Sequence, residues 1–266
     1  MSGADLEYGY ARVAARLGQR PADRLWSQLH SARSVPALLE VLRASSSAPL
    51  ATGIAADAGL VALELAWRQQ LRTRIDEAAG WAPARWQTAL RALADLPDLP
   101  AVVHLVTGGA PLAWMRIDPH LAAWAIEPAA ARERALCSGH WAWVSASLRN
   151  APAARRASMV DHLHPALRAW VARWRRTWPA CSADEREHLE QVIQLVDAHI
   201  ARFGCLSVED TASARAALAA KARVLLRRAP AEPAALVAWL LLTALDIERL
   251  RGEFSLRAAW PQEAIA

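Results

Sequence analysis

Three stretches hold the side chains best suited to chemistry. "DHLHP", residues 161–165, sets Asp161, His162 and His164 side by side. Imidazole and carboxylate are metal ligands, but histidines two residues apart point to different sides of a helix, so a chelate would need His188 or His199 from elsewhere. No HExxH or paired Cys/His spacing supports one, and surface or helix-end histidines are the expectation. "ALCSGHW" places Cys137 three residues before His140, within reach on a helix. A catalytic thiolate also needs a group to orient its base, and Gly139 marks a helix end there, so an ordinary half-buried cysteine is expected. "TGGAP", residues 107–111, is glycine-rich. Neither GxxxxGK[ST] nor GxGxxG occurs, so the glycines read as a helix stop and not as a phosphate cradle. GxSxG is missing as well. Carboxylates fall in mixed-sign stretches such as "SADEREHLE", the mark of a solvated face. Taken together, the residues predict a protein that is not an enzyme, with no cofactor and no metal site.

Thirteen tryptophans are the other unusual feature. In "LRAWVARWRRTWP", residues 167–179, Trp170, Trp174 and Trp178 recur every fourth residue among Arg168, Arg173, Arg175 and Arg176. Aromatics between arginines could stack nucleic-acid bases. The same spacing puts all three indoles on one helix side, which favours a core or protein interface with an arginine face outward. A helical scaffold that binds nucleic acid or protein through this stripe is therefore the alternative function. A small-molecule enzyme using Cys137, His140, His162 and His164 is a third.

The elements that must position these residues are helices. Ala, Leu and Arg dominate the 266 residues, 54% are hydrophobic, and strand-forming residues are scarce. The net charge is +5 with pI about 9.8, nearly all from arginine, and the arginines are spread along the chain instead of clustered. Three widely spaced cysteines, Cys137, Cys181 and Cys205, imply a reducing compartment without a disulfide framework. No signal peptide is read at the N-terminus. The most apolar run, residues 235–245, is too short for a bilayer, which takes about 20 residues. A soluble cytoplasmic protein is expected.

Periodicity predicts a helix at 5–17, with Leu6, Tyr10, Val13 and Leu17 on one stripe, and a second at 22–30. Ser34 then caps "SVPALLEVLR". A long helix over 56–79 ends with Gly80 at its C′ position. "WAPARWQTALRALADL" gives another helix, stopped by Pro97 and Pro100. Val102 to Val106 suits a strand or a short buried helix closed by Gly108 and Gly109. Short tryptophan-bearing helices occupy 118–150. Two longer ones follow at 153–178 and 182–203, the second opened by a Ser182/Glu185 capping box. One more covers 205–228, and a last begins at Pro230 to Pro233. The fold class is all-α, a single multi-helix subunit over 1–266, subdivided near 97–111 and 150–153.

The two ends carry a resemblance. "LEYGYARVAARLG" resembles the opening helix of the C subunit of V-type and A-type rotary ATPases, a family that includes the eukaryotic membrane-sector d subunit. The family's Tyr-x-x-Ala-Arg-Val-like pattern matches Gly9 to Val13, including Arg12, with Tyr8 or Tyr10 as the aromatic. A short helix and the Leu-rich "SVPALLEVLRAS" follow in family order. "LVAWLLLTALDIERLRGEFSLRAAWPQEAI" resembles the closing pattern, an apolar helix leading to an acidic-x-x-Asn-Leu-Arg element and a short tail. The matches are Asp246, Leu250 and Arg251, with Pro261 in the tail and Arg249 where Asn is usual. The resemblance implies a non-catalytic coupling subunit. It would link the central-stalk subunits to the membrane ring subunit, without nucleic acid, and would reach the membrane only through partner proteins. A funnel of pseudo-repeated helical subdomains is implied too, with first and last helices adjacent. Arg12 and Arg251 would pair with carboxylates such as Glu7 and Asp246, and Tyr8 and Tyr10 would fill the seam between the two helices.

Overall fold

The computed structural model describes residues 4–149, 159–203 and 208–260. They form thirteen α-helices and two short 3₁₀ turns, with no strand among the described residues. The all-α expectation holds. Among the described residues no helix is long and apolar enough to cross a membrane. Contacts divide the chain into two compact units, Met1–Pro83 with Ala222–Ala266, and Ala84–Lys221. The position near 150–153, the start of the helix expected at 153, Cys205 and Pro261 lie outside the described residues.

The first unit holds α1 (Ala4–Leu17), α2 (Asp23–Ser31), α3 (Val35–Arg43), α4 (Leu60–Trp81) and α13 (Pro233–Ala259). Local chemistry sets the starts. The Ser34 hydroxyl accepts from Ala37 N at 3.3 Å, ahead of Pro36 in the first turn of α3, and Pro233 opens α13. Gly80 does not end its helix: α4 runs through it to Trp81. Ala82, extended and followed by Pro83, is the stop, because proline disfavours helical geometry in the preceding residue. Helices α4 and α13 run antiparallel, with Trp67 edge-on to Phe254 at 5.2 Å and Trp81 against Trp239 at 5.1 Å. Leu38, Leu39 and Leu42 of α3 complete this core with Leu29, Leu63 and Leu250. Helix α4 is buried even at polar positions, and several of those side chains are paired. Arg68 Nε meets Glu64 at 2.7 Å, Gln70 donates to Thr52 O at 2.7 Å, and Arg74 donates to Pro49 O at 3.0 Å.

The second unit is built on α10 (Met159–Arg175), which packs against α6 (Leu99–Val106), α9 (Ala142–Arg149) and α11 (Ala183–Phe203). Helices α5 (Ala84–Arg91), α7 (Ala113–Ile117) and α8 (Ala129–Ser138) complete it, and α12 (Val208–Arg228) carries the chain back to the first unit. Val102 to Val106 are helical, with Pro100 in the first turn and Gly108 beyond the end at φ +91°. The tryptophan stripe is core. Trp170, Trp174 and Trp178 are all buried, Trp170 stacks on Trp174 at 5.3 Å, and the Trp174 indole N–H donates to Ala89 O at 2.7 Å. Both capping-box bonds at the start of α11 are made, Glu185 N to Ser182 Oγ at 3.1 Å and Ser182 N to Glu185 Oε2 at 2.8 Å.

Candidate functional site at the junction of the chain ends

Helix α1 lies on α13 and on the end of α4. Its buried stripe is Leu6, Gly9 and Val13, spaced three and four apart. Gly9 sets the approach: a Cβ there would stand 3.1 Å from Trp81 O and 3.5 Å from a Leu236 methyl. The aromatic flanks therefore do not fill the seam as expected. Tyr8 is 60% exposed and Tyr10 is half-buried, because one residue to either side of a contact glycine is turned by about 100° around the helix.

The expected pairing of Arg12 is replaced by another. Arg12 lies over the Trp81 ring, 5.5 Å from its centroid. The residue that grips Asp246 is Arg20, beyond the end of α1, whose Nε and NH2 donate to the two carboxylate oxygens at 2.6 and 2.8 Å. Asp246 is buried, and this burial raises its pKa above the ordinary carboxylate value. Arg20, then Arg223 and Arg249, pull the other way without cancelling it.

The next residues of α13 each bind a different segment. Arg249, standing where the family pattern has Asn, puts its guanidinium 4.0 Å from the ring centre of Trp26 in α2. Leu250 is wholly buried in the α3–α4 core. Arg251 Nε meets Glu64 of α4 at 2.6 Å and its NH1 meets Glu248 at 3.1 Å. Burial lowers the Arg251 pKa, but Glu248 and Glu64 more than reverse that, so the net shift is upward. Nearly two turns on, Arg257 donates to Ala32 O at 3.1 Å and to His30 O at 3.0 Å, at the end of α2. The stretch "DIERLRGEFSLR" is thus a row of anchors on one helix, holding α2, α3, α4 and the end of α1. Arg20, Trp26, Glu64 and Arg257 were not singled out from the sequence. A signal for Arg257 was present, since 246, 250, 253 and 257 follow helical spacing along one face.

The other candidates separate. His164 Nε2 meets Asp197 Oδ1 at 2.7 Å, with Arg168 3.9 Å from the same oxygen. No group of three metal-binding side chains occurs among the described residues. His199 has its pKa lowered, first by burial and then by Arg215. Cys137 and His140 have different partners: Arg149 NH1 reaches the Cys137 sulfur at 3.5 Å, and His140 Nε2 meets Asp95 at 3.0 Å. In "TGGAP", His104 Nε2 bonds Ala110 O at 2.9 Å and its ring fills the space beside Gly109, so the turn is closed on itself. The junction therefore offers ion pairs and packed aromatics, a set suited to holding helices rigidly. No protein-family model, curated protein or solved structure matches the chain.

Proposed function

We propose that this chain is a non-catalytic coupling subunit of a V/A-type rotary ATPase, binding central-stalk subunits and the membrane ring subunit. One observation carries the reading: the two stretches that resemble the family are the two that meet, α1 seated on α13 through Gly9 and Arg20 clasping Asp246. A part that passes torque must not deform under load. Close-packed helices cross-tied by buried ion pairs and aromatic contacts have that stiffness. The motif residues Asp246, Leu250 and Arg251 act here as internal ties, which leaves partner contacts to exposed side chains such as Tyr8. On this reading the protein is held at the membrane only through its partners.

The test is affinity capture of the tagged full-length chain co-expressed with the rotary-ATPase stalk and ring subunits of the same genome. Stoichiometric co-purification of both is expected, and weakened capture when Gly9→Leu unseats α1. Recovery of an otherwise intact ATPase assembly that lacks this chain would sink the proposal.

A further inference from the structure

We propose that the second unit carries a binding site for an amphiphilic organic anion, independent of the coupling role. Between α6, α8, α9 and the start of α10 lies a cavity of about 500 Å³, within the range of small-molecule sites at ~300–1,000 Å³. Leu105, Leu136 and Leu148 give it an apolar lining. One end is electropositive. Helix α8 starts at Ala129, which lines the cavity, and Pro128 before it gives no side-chain cap. The first turn holds no acidic residue, so its free N–H groups and the helix dipole favour negative charge.

Arg132, one turn on, is 4% exposed and also lines the space. Its NH1 donates to Ile126 O at 3.1 Å and meets Glu127 at 3.2 Å. Arg149 and His162 add to the lining, against the single carboxylate of Glu133.

The side chain that points to a ligand is Ser145. It lies on the cavity wall, only 4% of it is exposed, and its hydroxyl has no hydrogen-bond partner among the described residues. The hydroxyl is not sealed off by protein, so an oxygen-bearing head group entering the cavity would reach it. An inorganic anion is too small for this space, being only a few times the ~30 Å³ share of a water molecule. The leucines need an apolar body attached to the charged head.

The test titrates the full-length chain with 1-anilinonaphthalene-8-sulfonate by fluorescence and calorimetry, with octanoate and inorganic phosphate as competitors. Expected are one saturable site per chain, displacement by octanoate but not by equal phosphate, and about tenfold weaker binding in Arg149→Glu. Leu148→Trp, which fills the cavity, should abolish binding. Should that variant fail to fold, the unaltered chain still decides. Cys137 lines the cavity, so octanoate should slow its alkylation and leave that of Cys181 unchanged. Absence of a saturable site, phosphate competing as well as octanoate, unaltered affinity in Arg149→Glu, or no protection of Cys137 would each overturn the proposal.

Discussion

Gly9 gives the sharpest test of how the chain ends are joined, because two other substitutions isolate its contribution. Gly9 and Gly252 both lie inside helices, so replacing either by Ala gains about 0.8–1 kcal/mol of helix propensity. Around Gly252 an added Cβ meets nothing within 4 Å, and that gain should appear in full as stability. At Gly9 the new methyl presses on Trp81 O at 3.1 Å, a main-chain atom that cannot swing away. Overpacking of this kind costs about 1–3 kcal/mol, so Gly9→Ala should range from neutral to about 2 kcal/mol destabilising. Gly9→Leu cannot be seated at all, and its cost has a ceiling. Once α1 lifts off, the burial of Leu6 and Val13 is lost, at about 1.5–3 kcal/mol each, or roughly 3–6 kcal/mol, and the Arg12 contact with Trp81 is lost in addition. Urea unfolding followed by circular dichroism measures all three variants, and limited proteolysis within α1 reports whether it has detached. Equal stabilisation by Gly9→Ala and Gly252→Ala would refute the close seating of α1.

Three further outcomes follow from particular contacts. Because burial raises the Asp246 pKa, its carboxyl gives stability that is present below the ordinary value of 3.8 and lost as pH rises through the raised one. Asp246→Asn, which stays neutral, should gain on the parent chain as pH rises above 3.8, read from urea midpoints. A parent that gains instead would show that its arginines outweigh desolvation. Ser182→Ala removes the hydroxyl that caps α11 and should cost about 1 kcal/mol in the same assay. Arg249→Ala uncovers the Trp26 ring and should cost about 0.5–2 kcal/mol with a change in tryptophan emission, whereas Arg249→Lys should keep part of the contact.

What was legible in the sequence is what neighbours in the chain decide. Ser34, the Ser182/Glu185 box and Pro233 all start helices where local chemistry places them, because caps and proline act within one turn. The spacing of Trp170, Trp174 and Trp178 put them on one face, and that face is core. Local rules failed at Gly80 because a glycine is tolerated inside a helix that tertiary contacts continue, and the stop came from Pro83 instead. Val102 to Val106 were ambiguous because a short apolar run has the same pattern in a buried strand and in a buried helix turn.

Partner choice was the illegible part, and Arg12 shows why. By sequence alone Arg12 and Arg20 are equally good partners for an acid, and 226 residues separate Arg20 from Asp246. What decides is the direction in which Gly9 seats α1. With Leu6, Gly9 and Val13 turned inward, Arg12 is left beside the end of α4 and stacks on Trp81, while the chain leaving α1 brings Arg20 onto α13. Gly9, between the two tyrosines, therefore fixes which arginine closes the junction. The order of dependence runs from helix contact to ion pair. Substituting Gly9 should disturb the Arg20–Asp246 clasp, while removing the clasp should leave the Gly9 contact in place.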